Sequence, residues 1–598
     1  MDFRLLLALA SSLVAAALPG AATAATYYVR ASGSDAADGR SPASAFATIR
    51  KAAAAVLNPG DRVVVGPGTY SEGDIGPAHN GIPNRPVVFF ADRSGAETGD
   101  QPGPVVVTPM APYTTGFLFL GKRGVTIDGF TIRGATDACV QVRTSADGTT
   151  ASTAITLRNL EVSNCTRRGI DVTAVGSVTV EDSVSFGNTT GISILGPGGA
   201  GPRQDASLGA PEILARGNTV RSNTAAGIFL ERVVGGLVAD NLAHDNGTVG
   251  IDVRSSSGLS VLRNDVRRNR EGGIVAGKGV GDRAVGDVEV SANVVTENLG
   301  PAIEIIAAGT VVAAANTVPA APSSAVVVRG NGTAVATIRD NDLAASAIDA
   351  VFVESVADAL IERNDIDNSG ENGIQVRSSL SASIRDNEVM QAGSNGIDVE
   401  GDGVVAIENN RVISVGVQRS APAIAVESLL GSAMITILGN EISGASSHGV
   451  SVAGAVAGSV SSNDIDGVGG HGILLDRSAG ISLRDNDIAG VVFAGIRGRE
   501  SADLVAIGNV VANPPDGGIN FEADGTVELR ENRVFGSGDS GLAVVSASPE
   551  STALFASNVV SESEVRGVFS TGAQFATGVG NQITTSGQSG INLPGTGG

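Results

Sequence analysis

The chain has 598 residues, a formal net charge of −22, 81 glycines, 22 prolines, 2 cysteines and no tryptophan. Its hydrophobic content of 42% is enough for a packed core, and glycine and proline together stay below the level of low-complexity chains. The acidic balance excludes general nucleic-acid binding, which needs basic residues to displace counterions from phosphates.

The first residues are typical of a secretory signal. The stretch from Leu5 to Leu18 is apolar apart from two serines, and Ala22-Thr23-Ala24 offers a small-x-small cleavage pattern. A membrane span needs roughly 20 apolar residues, which neither this stretch nor a later one supplies. We therefore predict a signal peptide over residues 1–24 and a mature protein without a membrane span that is secreted, periplasmic or at the cell surface.

Residues 25–73 differ from the rest of the chain and are predicted to form a cap segment. Ser41-Pro42 is typical of a helix cap followed by proline at the first helical position. The apolar residues that would share one helical face are Phe46, Ile49, Ala53 and Val56. Asn58-Pro59-Gly60 ends this predicted helix. We expect it to cover the amino end of the following domain, because an open β-helix end exposes unpaired backbone.

Residues 74–598 are dominated by an internal repeat. An asparagine recurs most often every 23 residues, two places before a β-branched or aliphatic residue, and a Gly-Ile pair or a variant of it keeps step. The asparagines of the series are Asn218, Asn241, Asn264, Asn293, Asn316, Asn341, Asn364, Asn387, Asn410, Asn440, Asn463, Asn486, Asn509, Asn532, Asn558 and Asn581. Counted from Gly129 and Asn159, the chain makes about nineteen turns of one unit.

Within one unit the apolar residues alternate in short runs separated by Ser, Gly and Asn, which predicts strands and turns. The asparagine suits a tight turn because it tolerates the left-handed conformation, and stacked asparagines can bond to one another. Strands stacked about 4.8 Å apart would form an all-β, right-handed parallel β-helix roughly 90 Å long. The alternative is a leucine-rich repeat, but the return segment from Gly393 to Val399 is strand-like rather than helical.

The two cysteines raise the question of a disulfide in an exported chain. Cys139 opens a predicted strand, and Cys165 lies four residues before the matching strand of the next turn. They are one turn apart but out of register, whereas bridging needs Cα atoms within about 7 Å. A disulfide and two free thiols both remain open.

The opening of the mature chain resembles that of exported right-handed β-helix proteins, including some pectate lyases and chondroitinase B-like or alginate lyases. The matching pieces lie between Thr26 and Gly73 and are Thr26-Tyr27-Tyr28-Val29, Gly33-Ser34-Asp35, Asp38-Gly39, Thr48-Ile49-Arg50-Lys51-Ala52 and the run from Pro59 to Tyr70. The resemblance implies a β-helix that acts on acidic polysaccharide. The chain departs from those families in lacking a tight Asp-Asp-Gly-x-Asp run, and Gly470-His471-Gly472 copies a polygalacturonase motif without its aspartate pairs.

The fixed period places charged side chains in rows on one outward face. Asp252, Val275 and Glu304 fall in one row, and Glu231 and Arg254 fall in the next, with Lys278 one place beyond. Two long units, Gly196 to Ala210 and Gly277 to Gly286, would wall a cleft around them. Carboxylates beside a Lys or Arg are the groups that β-elimination of a uronate needs. The carboxylates hold a hard cation, and the Lys or Arg takes the proton.

For this site we predict Lys278 and Arg254 as catalytic residues, with Lys278 as the base and Arg254 steadying the substrate. Asp252 and Glu304 are the predicted Ca²⁺ ligands, and Glu231 and Phe229 are predicted to contact substrate. Because the chain has no tryptophan, neutral sugars are disfavoured and an acidic polysaccharide is favoured. The alternatives are a solvated charged face and, for the whole protein, a structural or adhesive surface rod without catalysis.

Two further patterns follow from the period. His448 and His471 are predicted to stack roughly 5 Å apart and to contact substrate, although incidental turn histidines would give the same spacing. Charges also alternate on consecutive turns at Arg339, Glu362 and Arg385, and again at Arg329, Glu354, Arg377 and Glu400. Opposite charges on neighbouring strands contribute roughly 0.2 to 1 kcal/mol each and help to keep the register.

Overall fold

The structure, a computed structural model, describes residues 24–55, 58–173, 176–196, 213–277 and 284–593. The predicted signal peptide, apart from Ala24, lies outside these residues, as do Lys278 and most of both predicted cleft loops. In the described part the chain builds three parallel sheets, named A, B and C, around a continuous apolar core, and from Val87–Ala91 onwards each turn adds one strand to each sheet. This confirms the predicted parallel β-helix.

Sheet A has 22 strands. They are Thr26–Val29, Arg62–Val65, Val87–Ala91, Arg123–Asp128, Thr153–Arg158, Val178–Glu181, Ile213–Arg216, Val234–Ala239, Ser257–Leu262, Val288–Ser291, Thr310–Ala314, Val335–Arg339, Asp358–Glu362, Ser381–Arg385, Val404–Glu408, Met434–Leu438, Ala457–Ser461, Ile481–Arg484, Val505–Ile507, Thr526–Arg530, Thr552–Ala556 and Phe575–Val579.

The strands of sheet B are short. They are Gly68–Tyr70, Val105–Val107, Thr131–Arg133, Glu161–Ser163, Val184–Phe186, Thr219–Arg221, Leu242–His244, Asp265–Arg267, Val294–Thr296, Thr317–Val318, Asp342–Ala344, Asp365–Asp367, Glu388–Met390, Arg411–Ile413, Glu441–Ser443, Asp464–Asp466, Asp487–Ile488, Val510–Ala512, Arg533–Phe535, Val559–Ser563 and Gln582–Ser586.

Sheet C carries the outward rows singled out above. Its strands are Phe117–Leu120, Ala138–Arg143, Arg168–Thr173, Thr190–Leu195, Ile228–Glu231, Val249–Arg254, Gly272–Ala276, Ile303–Ile306, Val326–Arg329, Val351–Glu354, Ile374–Arg377, Ile397–Glu400, Ile424–Glu427, Val450–Ala453, Ile473–Asp476, Ile496–Ala502, Ile519–Asp524, Leu542–Val545, Arg566–Thr571 and Ser589–Asn592.

The predicted count of about nineteen turns is too low, since sheet A has 22 strands in the described residues. The three additional strands, Thr26–Val29, Arg62–Val65 and Val87–Ala91, precede Gly129, where the prediction began to count. They pair in register with one another and with the fourth strand, but their turns lack the asparagine marker. The segment that the sequence sets apart as a cap therefore also supplies the first strands of the stack.

The asparagine series forms a continuous ladder, which is buried from Asn218 to Asn558. Asn364 is representative: its backbone N–H and its Nδ2 both donate to Asn387 Oδ1, at 3.0 and 2.9 Å, and its Nδ2 also donates to the Ile338 carbonyl. The expectation that the asparagine itself takes the left-handed conformation is wrong. The preceding residue takes it, as Asp340 (φ 57°) and Arg363 (φ 52°) illustrate, because the asparagine must point its amide inward to the ladder.

A second asparagine ladder lies five residues after the first, over five turns only. Its members are Asn188, Asn223, Asn246, Asn269 and Asn298, all buried. At its amino end the Cys165 N–H donates to Asn188 Oδ1 at 2.9 Å. Cys165 is bonded to Cys139 in a disulfide with Cα atoms 5.7 Å apart, so the two sulfurs are not free thiols. The disulfide forms despite the offset in register because Cys165 lies at a corner between two strands and not within a strand.

The predicted amino-terminal helix is two separate elements. Ser41 caps a 3-10 helix, Pro42–Ser44, as predicted, and α1 then runs over Ile49–Ala55. Between them Phe46 forms a parallel bridge with Val29, which holds the chain extended. The side chain of Glu72 accepts the N–H groups of Ile49 and Arg50 at the start of α1. No helix among the described residues is long and apolar enough to cross a membrane.

Candidate functional site

The outward side chains two places after each marker glycine, or after the alanine or cysteine that replaces it, form one unbroken row on sheet C, which we call the outer row. Their register links consecutive turns from Gln141 to Asn520. The predicted succession of Asp252, Val275 and Glu304 lies in it. Unexpectedly for an outward face, its polar members include seven buried side chains. These are Gln141, Asp171, Ser193, Asp252, Gln375, Asp398 and Asn520.

At the amino-terminal end of the outer row, arginines hold a buried carboxylate. Asp171, 1% exposed, accepts from Arg168 at 2.7 Å and from Arg143 at 3.2 Å. Gln141 Nε2 also donates to it, at 3.2 Å. Two buried groups here have no hydrogen-bond partner in the described residues, the Nε of Arg143 and the Oγ of Ser193. This end therefore has unused hydrogen-bond donors.

Arg254 continues the arrangement three turns after Asp171. Its Nε and one terminal nitrogen donate to the two carboxylate oxygens of Asp252, at 3.0 and 2.5 Å, and its guanidinium lies 5.1 Å from the centre of the Phe229 ring. The hydrogen bond to Asp252 raises the pKa of Arg254 above its ordinary value, so Arg254 is a fixed cation. A cavity of about 260 Å³ lies between Arg168 and Arg254. We call Arg143, Arg168 and Arg254 the arginine cluster.

The other predicted residues of this site are only partly brought together. Glu231 lies in register with Arg254, and its carboxylate is 3.3 Å from Arg232. Glu304, two turns from Asp252, is ion-paired with Arg329 at 2.6 Å. Lys278 lies outside the described residues.

The predicted Ca²⁺ ligands do not fit a calcium ion as they stand. Both oxygens of Asp252 accept from Arg254, Glu304 is paired with Arg329, and Val275 lies between the two carboxylates. Calcium takes six to eight oxygen ligands. Within the described residues no cluster of three or more His, Cys, Asp or Glu side chains could hold a metal.

In the middle of the outer row, Gln375 Nε2 donates to Asp398 Oδ2 at 2.9 Å. Burial raises the pKa of Asp398 to about 6. Next to it runs a ladder at the corner before sheet C, in which each side chain accepts the backbone N–H of the next turn. Asp349 accepts from Asn372 N, and Asn372 Oδ1 accepts from Asn395 N. We call this the corner ladder.

His448 and His471 occupy the same place in later turns and resume the corner ladder after Pro422, which has no N–H to donate. His448 Nδ1 accepts the N–H of His471 at 3.0 Å, and His471 Nδ1 accepts the N–H of Ala494 at 3.1 Å. The predicted stacking is confirmed, with ring centres 5.2 Å apart. Burial lowers the pKa of His448 to about 4 and lowers that of His471 as well, so both imidazoles are neutral near pH 7.

These histidines line a cavity of about 660 Å³, the histidine cavity. Its other lining residues are Leu474, Ala494, Arg497, Arg499, Pro515, Asp516, Asn520, Gly538 and Asp539. A second cavity of about 550 Å³ lies among the same turns, lined in part by Arg477, Glu500 and Glu522. Between Gly498 and Ser501 the register shifts by a β-bulge, a feature that is frequent next to binding sites.

Sequence reasoning found the outer row, Arg254 and the histidine pair but missed Asp171, Asp398 and Asn520. Their signal was present, because each lies two places after a marker glycine. What the sequence did not show was burial, since outward positions of a strand are ordinarily solvated.

A family model for the right-handed beta helix region matches residues 155–318, 302–458 and 448–598. The chain therefore belongs to this family, which confirms the predicted handedness. No curated protein matches its sequence.

Several solved structures are similar to the chain at low identity. Pectate lyase Pel9A is 18% identical over 50% of this chain and 78% of its own, with a TM-score of 0.37. A rhamnogalacturonan lyase is 13% identical over 55% of this chain and 82% of its own, with a TM-score of 0.28. The PL6 family alginate lyase AlyGC is 9% identical over 95% of this chain and 100% of its own, with a TM-score of 0.30. These neighbours are polysaccharide lyases, and at such values the likeness carries no argument about this chain's activity.

Proposed function

We propose that the protein binds an acidic polysaccharide along the outer row of sheet C, with the arginine cluster as its anion-binding part. The observation that carries this proposal is the pair of unpartnered donors, Arg143 Nε and Ser193 Oγ, beside fixed guanidiniums on an outward face. Buried polar groups without partners are rare in folded proteins and are expected to be satisfied by a ligand or water.

The local charge at this end is far less negative than that of the whole chain. The arginines Arg143, Arg167, Arg168 and Arg254 are matched by Asp137, Asp171, Asp252 and Glu271, so the charges balance although the whole chain is strongly acidic. Guanidiniums recognise carboxylates well because their planar donors match the two oxygens. A uronate carboxylate between Arg168 and Arg254 would lie in the 260 Å³ cavity that separates them.

Cleavage by β-elimination is the finer proposal. In it Lys278 removes the proton next to the uronate carboxylate, a carbon–carbon double bond forms, and the glycosidic C–O bond breaks, with a solvent proton going to the leaving oxygen. Arg254 would hold the carboxylate and cannot serve as the base, because its pKa is raised. Any calcium would need ligands from the polymer in addition to Asp252 and Glu304.

A structural or adhesive rod is the second candidate. It is favoured by the ladders and charge rows that run along the stack, where Arg363 pairs with Asp340 and Arg385 with Glu362, each at 2.7 Å. These contacts keep the register and need no ligand.

The test incubates the protein with pectate, alginate and chondroitin, with and without calcium. It follows retention on polysaccharide gels and the ultraviolet absorbance of unsaturated product. Arg168→Gln is expected to weaken retention about tenfold, since one charge-assisted contact is lost, and Lys278→Ala to abolish product without altering retention. Arg411→Gln is the control, because Arg411 pairs with Glu388 on sheet B. No retention of the wild type would favour the rod, and equal losses in both arginine variants would contradict the site.

A further inference from the structure

The histidine cavity offers a chemistry that differs from that of the arginine cluster. His448 Nδ1 and His471 Nδ1 each accept a backbone N–H, so neither can carry a proton there. A neutral imidazole with a bare Nδ1 carries its proton on Nε2. Both Nε2 atoms are therefore hydrogen-bond donors. A protonated Nε2 cannot bind a metal unless the imidazole gives up its ladder hydrogen bond or becomes an imidazolate. The two histidines therefore offer the cavity donors, which would bind a hydrogen-bond acceptor of a ligand.

An acceptor in the same cavity has no partner. Asn520 lies in the outer row, is 9% exposed, and its Oδ1 has no hydrogen bond in the described residues. Its burial means that bulk water is not freely available to satisfy it. The cavity therefore combines hydrogen-bond donors from the two histidines with an unmet acceptor from Asn520.

The charges around the cavity disfavour an anion. Arg497 is already ion-paired with Glu522, and Arg499 with Asp476 at 3.0 Å. Asp516 and Asp539 also line the cavity, so two carboxylates stand beside two guanidiniums that are already ion-paired. A carboxylate or sulfate placed there would be repelled by Asp516 and Asp539 and would have to compete with Glu522 and Asp476 for the two guanidiniums. Hydroxyl groups both donate and accept hydrogen bonds, and they therefore match a cavity that offers histidine donors and an asparagine acceptor.

We infer that the histidine cavity is a subsite for a neutral, polyhydroxylated sugar unit, with its hydroxyls accepting from the Nε2 atoms of His448 and His471 and donating to Asn520. The inference deepens the proposed polysaccharide-binding function and rests on it. The cavity lies about nine turns from the arginine cluster, on the order of 40 Å at the strand spacing. The polymer would therefore carry neutral as well as acidic units, which departs from the expectation drawn from the absence of tryptophan, because this cavity would read hydroxyls by hydrogen bonds and not by an aromatic platform.

The chain supplies its own conservative variant. Asn372 fills the corner-ladder place three turns before the histidine pair begins and accepts the backbone N–H of Asn395 through its side-chain oxygen. Replacing both His448 and His471 by asparagine keeps such an acceptor for each ladder bond while removing the two Nε2 donors. The double variant is therefore expected to fold.

The experiment uses the full chain labelled with ¹⁵N only in histidine, of which there are 4. Imidazole spectra of the free protein are expected to show bare Nδ1 and protonated Nε2 atoms in His448 and His471. Titration with neutral oligosaccharides of glucose, galactose and xylose should shift these Nε2 signals and leave His79 and His244 unchanged. The double asparagine variant, followed by calorimetry, should bind the same sugars about tenfold more weakly, whereas His244→Asn should bind as the wild type does.

Three outcomes overturn the inference. Tighter binding of galacturonate oligosaccharides than of neutral ones at this cavity would make it an anion site. Binding of glucosamine alone would make it a cation site, and the absence of any shift with all three classes would make the histidines purely structural. None of these outcomes affects retention on acidic polysaccharide through the arginine cluster, so failure of the subsite and failure of the proposed function are distinguishable.

Discussion

The two ends of the outer row use the same positions of the same repeat, yet different hydrogen-bonding groups lack a partner at each end. The amino-terminal end holds Asp171 and Asp252 with arginines and leaves donors unpartnered. The carboxyl-terminal end leaves the Asn520 oxygen unpartnered in a cavity whose two arginines are already ion-paired. The backbone hydrogen bonds that pair the strands involve no outward side chain. The outward residue can therefore differ from turn to turn while the backbone stays regular.

The sharpest difference between the two ends is in the burial of their ion pairs. Arg254→Ala leaves Asp252, 2% exposed, without the arginine that holds it, and removing one partner of a buried pair costs about 3–5 kcal/mol. Arg497→Ala leaves Glu522, whose side chain is 46% exposed and stays hydrated, at a cost of at most about 1 kcal/mol. Urea unfolding followed by circular dichroism compares the two. Equal shifts of the midpoint would remove the distinction.

The next prediction concerns pH and only the carboxyl-terminal end. Unfolded histidine binds a proton near pH 6.5, whereas folded His448 resists protonation down to about pH 4. Stability is therefore fully present above pH 6.5 and falls as the pH drops toward 4, by up to about 3 kcal/mol. Thermal unfolding between pH 7 and pH 4.5 should show this fall in the wild type. In His448→Asn/His471→Asn it should be reduced, and parallel curves would contradict the assignment.

The smallest effect is expected at Asp398, between the two ends. An unfolded aspartate loses its proton near pH 3.9, whereas burial keeps folded Asp398 protonated to about pH 6. Its contribution to stability is therefore present below pH 4 and lost as the pH rises through 6. Asp398→Asn should raise the free energy of unfolding at pH 8 by at most about 3 kcal/mol, reduced by whatever the amide loses in its contact with Gln375. Asp358→Asn, an exposed aspartate on sheet A, is the control, and a lower stability of Asp398→Asn at pH 8 would argue that the carboxylate is stabilised there.

The sequence by itself determined the repeat and hence the fold, since a period near 23 with alternating apolar residues has few other solutions. It also placed Asp252, Val275 and Glu304 in one row and stacked His448 on His471. In a repeat of nearly fixed period, the difference between two residue numbers tells which residues lie next to each other on consecutive turns. The turns before Gly129 were not predicted from the repeat, since they lack the marker asparagine.

Only the tertiary structure decided which outward side chains are buried, which arginine holds which carboxylate, and which imidazole nitrogen carries the proton. The helix predicted from Phe46 and Ile49 shows the same limit, because the bridge of Phe46 to Val29 overrides the local pattern. The spacing put Cys139 and Cys165 out of register, and the corner geometry brought their Cα atoms to 5.7 Å. Periodicity specifies the place of a residue along the stack, whereas burial, charge pairing and protonation depend on neighbours that the turns bring together.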